Sequence, residues 1–340
     1  MKVDSSILVS NPHDAGAVAR GLEELGYDGG FTFEGRHDPF LPLSIAAEHT
    51  ESLTLATAVA IAFARNPMLL ANLGYDLQLQ SGGRFILGLG SQIRPHIERR
   101  FSAVWSRPAD RMREMVLAIR AIWRSWHDDA KLDFRGDFYT HTLMTPVFNP
   151  GPNPHGLPPI FVAGIGPKMT AAVGEVADGF FVHPFHTPKF IEEVTLPALE
   201  RGFAASGRTR DDFTISCQII IASGESEEEF ENAKNVARAQ LSFYGSTPAY
   251  RGVLDCHGWG DLHLELNRLS KTGGWLQMAA LIDDEVLETI AVVGEPHEIA
   301  GKLLDRCGSF ADRLSLVAVY APDAGRWLDV VRAIQGAERT

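Results

Sequence analysis

Short, continuously apolar runs alternate along the chain with longer segments whose apolar residues recur every three or four positions. The short runs fall at 3–9, 30–33, 53–60, 85–89, 160–163, 179–182, 213–222 and 313–319. Runs of this kind predict strands buried on both faces, as in parallel sheets. The periodic segments at 14–25, 41–50, 67–80, 111–126, 168–177, 190–205, 227–243, 297–306 and 325–335 predict helices. In the first of these, Ala15, Val18, Ala19, Leu22 and Leu25 share one face, and Gly26 supplies the stop. Pro67 sits in a first turn, where its missing N–H is tolerated. Ser81-Gly82-Gly83 breaks the helix that follows, and Pro197 predicts a kink inside 190–205.

Helical crossovers between eight strands favour parallel pairing. Their regular spacing favours an α/β fold of the (β/α)8 TIM-barrel type over an open doubly wound sheet. The expectation is one domain over residues 1–340. Two stretches interrupt the repeat. Residues 127–158 carry five prolines and a hairpin signal at Arg135-Gly136, and residues 245–295 form a second insertion. Insertions of this length in a barrel commonly serve as lids or assembly surfaces.

Composition narrows the function. The net charge of −12 excludes the basic face that a nucleic-acid binder needs, though not a local positive pocket. No window approaches 18 uncharged apolar residues, so no membrane span is expected. The apolar start of the chain is broken by Asp4 and two serines, and Cys217, Cys256 and Cys307 are scattered. Both features point to a reducing cytoplasm.

Five segments carry candidate chemistry. In 158–183 an apolar run enters Gly164-Ile165-Gly166-Pro167, and a helix then opens with Lys168. Close backbone approach and free N–H groups at a helix start suit a phosphate; a plain strand-to-helix turn is the competing reading. In 81–92, Gly90, Ser91 and Gln92 offer a bare strand exit and hydrogen-bond groups, against a simple capped turn. In 31–40, Glu34 and His37 follow the second strand. A histidine there suits a ring contact or proton transfer, and a loop stapled by Arg36 and Asp38 is the alternative. The small-residue strand in 55–67 leaves room above a barrel or is merely well packed. Cys256, His257, Asp261 and His263 have metal-binding side chains at a spacing that matches no common zinc pattern, so no metal is expected. There is no G-x-S-x-G and no H-E-x-x-H.

Taken in order, ATAVAIAFARNPMLLANLGYDLQLQSGGRFILGLGS (56–91) and PPIFVAGIGPKMTAAVGEVADGFFVH (158–183) resemble the luciferase-like monooxygenase superfamily. The resemblance runs from residue 1 to about residue 335. It implies a cofactor cleft at the C-terminal face of the barrel. The flavin-type ring would rest on Ala58, Val59 and Ala60, with a non-proline cis peptide between Ala58 and Val59, and on Gly90, Ser91 and Gln92. The cofactor phosphate would sit on Gly164, Gly166, Lys168 and Met169, with Ala163, Ile165 and Pro167 in the same turn. His37 would lie near the ring, and His183 beside the substrate. The phrasing FEGRHDPFLPL and GLGSQ looks like the branch that uses coenzyme F420. That implies hydride transfer between the deazaflavin C5 and a small organic substrate. FMN, with a separate reductase supplying reduced cofactor, is the alternative, and a non-catalytic flavin-binding barrel is a third. The resemblance also implies a homodimer. The F420-dependent glucose-6-phosphate dehydrogenases of this group carry a glutamate after the fourth strand. Here Gly90-Ser91-Gln92-Ile93 stands in its place, which argues against a sugar-phosphate substrate.

Overall fold

The computed structural model describes residues 1–337. Eight parallel strands close on themselves: β1 (Lys2–Ser6), β2 (Gly29–Thr32), β3 (Thr54–Thr57), β4 (Phe85–Gly90), β5 (Ile160–Gly164), β6 (Gly179–Val182), β7 (Thr214–Ala222) and β8 (Arg313–Val317). Each pairs with the next, and β8 returns to β1 through Lys2 against Arg313. The expected TIM barrel is therefore formed. An outer ring consists of α1 (Ala15–Glu24), α2 (Phe40–His49), α3 (Pro67–Gln80), α4 (Pro108–His127), α5 (Pro167–Val176), α6 (Leu196–Ser206), α7 (Glu227–Gly245), α8 (Pro296–Cys307) and α9 (Leu328–Gly336).

The strands alternate between two apolar layers. Ile215, Cys217, Ile219 and Ile221 of β7 belong to the large core between barrel and helices. Ala56, Ile86, Phe161 and Phe181 form a small plug inside the barrel. Below that plug the Arg313 guanidinium holds Asp4 through two hydrogen bonds of 2.7 and 2.5 Å, both side chains being buried. A pair this enclosed persists because every charge has a partner.

Several boundaries differ from the sequence expectation. The first strand ends at Ser6 rather than residue 9, and the last at Val317 rather than residue 319. Their final apolar residues turn instead into loops over the barrel mouth. The expected strand at 53–60 breaks after Thr57 and resumes as Ala60–Ile61. The kink foreseen at Pro197 is a π-helical stretch, Ile191–Thr195, just before α6. Proline cannot donate to the turn before it, so the helix there loosens its register.

The first insertion contains the foreseen hairpin, with Phe134 opposite His141 and Arg135 opposite Thr140. The second folds into short helices, Arg251–Asp255, Gly260–Ser270, Trp275–Ala280 and Asp284–Ile290. They enclose a second core of Phe185, Leu241, Leu254, Leu266, Met278 and Leu287 beside the barrel. No helix among the described residues is long and apolar enough to cross a membrane.

Candidate active site

The site begins with a break in the barrel wall. β3 and β4 pair at Ala56–Ile86 and again at Ala60–Leu89, but not between. Across the gap the Thr57 hydroxyl accepts the Gly88 N–H at 2.8 Å and donates to the Gly88 carbonyl at 2.7 Å. One side chain thus replaces two ladder bonds, satisfying backbone groups that burial would otherwise leave costly. The Ala58–Val59 peptide is cis. Both glycines of the next strand are needed for this approach. A Cβ on Gly88 would lie 1.7 Å from the Thr57 carbonyl oxygen, and one on Gly90 2.5 Å from a Val59 methyl.

Glu34 supports the bulge from behind. Its carboxylate accepts the Ile61 N–H at 2.7 Å and forms a very short contact with Arg65. Arg65 in turn holds Asp38 at 2.8 Å, so Asp38 is paired with Arg65 and not with Arg36. Glu34 is consumed by this network and does not line the cleft. Ala60 is fully buried behind the wall. His37 is exposed on the loop outside the cleft, four residues beyond Phe33, which does line it.

A cavity of about 1650 Å³ opens at the C-terminal ends of the strands, bordered by Ala58, Val59, Gly90, Ser91 and Gln92 on one side. A single small-ligand pocket has roughly 300–1,000 Å³, so this one has room for a cofactor and a substrate together. Gln92 adopts a left-handed backbone (φ 58°), and its side chain accepts the Ile93 N–H. Ser91 donates to the Gln92 carbonyl. Opposite, Ala163, Gly164, Ile165, Gly166, Pro167, Lys168 and Met169 border the same cavity. Gly166 is the N-cap of α5 and Pro167 its first residue. The first helix-type bond runs from Thr170 N–H to the Gly166 carbonyl, which leaves the N–H groups of Lys168 and Met169 at the helix start. Free N–H groups and the Lys168 ammonium at a helix start are an arrangement able to attract an anionic group, on an otherwise acidic chain.

The remaining wall is aromatic and polar. His183, just past β6, packs against Tyr250 (4.4 Å between ring centroids) and Tyr244 (4.8 Å). Its Nδ1 accepts the Phe185 N–H at 3.1 Å, so a neutral ring carries its proton on Nε2. Although part of the residue still borders the cavity, burial first, and His186 second, push its pKa down to about 3. His183 is thus a neutral donor at ordinary pH. Gln240 lies nearby, its amide donating to the Tyr244 hydroxyl at 3.3 Å while its Oε1 is buried with no partner. Thr57, Gln240, Tyr244 and Tyr250 escaped the sequence reading. Thr57 looked like any strand threonine, and the other three come from a helix and an insertion with no motif.

The metal-capable side chains at 256, 257 and 263 have separate partners. His257 bonds Thr187 at 2.7 Å and stacks on Trp259, His263 bonds the Gly245 carbonyl at 2.8 Å, and Cys256 faces Glu193.

Comparison with known proteins agrees with this architecture. Residues 2–313 match the luciferase-like monooxygenase family. An uncharacterised Mycobacterium tuberculosis protein is 55% identical over 314 residues, covering 92% of each chain. A 5,10-methylenetetrahydromethanopterin reductase of Archaeoglobus fulgidus is 26% identical over 296 residues, covering 85% of this chain and 84% of that one. The solved coenzyme F420-dependent tetrahydromethanopterin reductase of Methanopyrus kandleri superposes with a TM-score of 0.77 at 17% identity, covering 97% of each chain. The profile match across nearly the whole barrel and the 55% relative place this chain in the luciferase-like monooxygenase family.

Proposed function

We propose that this protein is a coenzyme F420-dependent oxidoreductase acting on a small organic substrate. The observation that carries this reading is His183: a neutral imidazole with its proton on Nε2, at the wall of a cleft floored by the β3 bulge. A hydride transfer that makes or consumes a carbonyl needs a hydrogen-bond donor at the substrate oxygen, and a neutral N–H can serve without adding charge to a dry pocket. The 26% relative bears the name of a methylenetetrahydromethanopterin reductase, and the superposed structure that of an F420-dependent enzyme, which supports the choice of cofactor.

The residues present fit that cofactor. The cradle beside Val59 and Gly90 is one that a Cβ would fill, and Lys168 with the start of α5 suits a phosphate. Once bound, the deazaflavin would donate or accept the hydride at C5. The protein would orient the two reactants, exclude water behind Phe31, Trp105 and Trp327, and hold a proton at His183 Nε2. His37 would act only if its loop turned inward over Phe33.

Fluorescence titration of the purified protein with oxidised F420 and with FMN, side by side, tests the cofactor. Tight F420 binding with weak FMN binding supports the reading and opens a substrate screen with reduced F420. The reverse preference points to a flavin monooxygenase with a separate reductase, to be checked by substrate-dependent oxygen uptake. Binding of either cofactor without turnover points to a non-catalytic barrel.

A further inference from the structure

Behind His183, on the outer side of the barrel wall, lies a group of side chains that the cleft does not use. His186 follows β6, Cys217 points outward from β7, and Cys307 ends α8; all three are buried. Among the described residues they are the one set of histidine, cysteine and carboxylate side chains whose donor atoms converge, all within 4.8 Å of one another. The Cys217 and Cys307 sulfurs are 3.8 Å apart, and Cys217 Sγ is 3.6 Å from His186 Nε2. With metal–sulfur bonds of about 2.3 Å and metal–nitrogen bonds of about 2.0–2.1 Å, tetrahedral coordination gives ligand edges of roughly 3.8 Å and 3.6 Å.

The histidine is set for ligation. Its Nδ1 lies 2.8 Å from the His183 carbonyl, an atom that can only accept, so Nδ1 carries the proton and Nε2 presents a bare lone pair to the two sulfurs. A backbone carbonyl on the far nitrogen is the usual way a ligating imidazole is oriented. The Arg306 guanidinium supplies positive charge beside the sulfurs while bonding the Ile290 and Thr289 carbonyls at 2.6 and 2.8 Å.

We propose that His186, Cys217 and Cys307 bind a thiophilic d10 cation, zinc(II) or copper(I), as a structural centre behind the cleft. Two thiolates and an imidazole are a soft donor set of the kind these ions select. Binding replaces the two S–H protons, which pass to solvent, with the cation. No electron is transferred. Because His186 is tied to the His183 carbonyl, the bound ion would hold the 183–187 segment, and so His183, in place.

The test uses the full chain. Protein unfolded under reducing conditions with a chelator is refolded with zinc(II), with copper(I) under a reductant, or with cobalt(II) as a spectroscopic probe, then desalted and assayed for metal. The expected result is one equivalent per chain, with sulfur-to-cobalt charge-transfer absorption in the cobalt form. Retention of zinc alone or copper alone identifies the ion. Cys217→Ser, Cys307→Ser and His186→Asn should each lose the metal, while Cys256→Ser keeps it. Should a variant not fold, the wild-type stoichiometry and cobalt spectrum still decide. Metal below a tenth of an equivalent in refolded wild type overturns the proposal. So does equal retention in the Cys217→Ser/Cys307→Ser double variant, or a Cys217–Cys307 disulfide found by mass spectrometry in the protein as purified.

Discussion

The Thr57 hydroxyl and the Gly88 backbone close on each other in two hydrogen bonds, at 2.7 and 2.8 Å, across the one gap in the β3–β4 pairing. Valine has nearly the shape of threonine and no hydroxyl. Thr57→Val should therefore leave two buried backbone groups unpaired and cost about 2–6 kcal/mol, at about 1–3 kcal/mol for each orphaned group. Urea unfolding of the wild type, Thr57→Val and Thr57→Ser measures this. Serine keeps the hydroxyl and should recover most of the loss. A valine variant as stable as wild type would show that the hydroxyl does not hold the bulge.

His183 and His37 separate cleanly by experiment. His183 borders the cleft and carries its proton on Nε2, whereas His37 is exposed beyond it. With F420 and a working substrate, His183→Ala should lower kcat by about 100-fold or more, the usual scale for a positioned proton donor. Cofactor affinity should change by less than about 3-fold, roughly 0.6 kcal/mol. Because the His183 pKa is near 3, its ionisation should leave no limb in the rate profile between pH 5 and 8. His37→Ala should cost less than His183→Ala. The opposite order would show that the His37 loop closes over the cleft during turnover.

How much of this was legible in the sequence depends on whether a residue acts through local pattern or through distant partners. All eight barrel strands were, because burial on both faces writes a continuous apolar run such as FILGLG at Phe85–Gly90. The α5 start was too, since the glycines at 164 and 166 free the backbone and Pro167 then fixes it for the first helical turn. The place of Glu34 behind the bulge was not legible, because it depends on Ile61 and Arg65, 27 and 31 residues away. Gln240, Tyr244 and Tyr250 reach the cleft from α7 and the second insertion, whose return toward the barrel no local spacing encodes. The same holds for His186, Cys217 and Cys307, three positions that only the closed barrel brings together.

Lys168 tests the anion site independently of the chemistry. Its ammonium stands at the N-terminus of α5 beside Gly166 and at the cavity border. Lys168→Glu replaces attraction with repulsion there and should weaken binding of a phosphate-bearing cofactor about 10-fold or more, roughly 1.4 kcal/mol. The effect should shrink with added salt, because the charge is partly open to solvent. kcat at saturating cofactor should change little. Titration at low and high ionic strength checks both points, and salt-independent weakening would mean that the substitution distorts the turn instead.

Glu23, at the end of α1, makes acid sensitivity measurable far from the cleft. Its carboxylate accepts the backbone N–H groups of Glu51, Ser52 and Leu53 and the Ser52 hydroxyl, tying α1 to the turn before β3. Burial alone would raise its pKa; the bonds from Ser52, Leu53 and Glu51 outweigh it and bring the value from 4.5 to about 2. A carboxyl depressed in the folded state contributes stability above its unfolded pKa and loses it as pH falls toward the folded one. Glu23→Gln should therefore cost about 1–2 kcal/mol at pH 7, the low end for bonds to a charged group because this one is partly solvated. The wild-type advantage should hold down to about pH 5, shrink between 4.5 and 2, and vanish below, as protonation makes the two side chains alike. Urea unfolding of both proteins at pH 7, 4 and 2.5 reads the difference directly. A gap that stays constant with pH would mean that the shape of the side chain, not its charge, holds the turn.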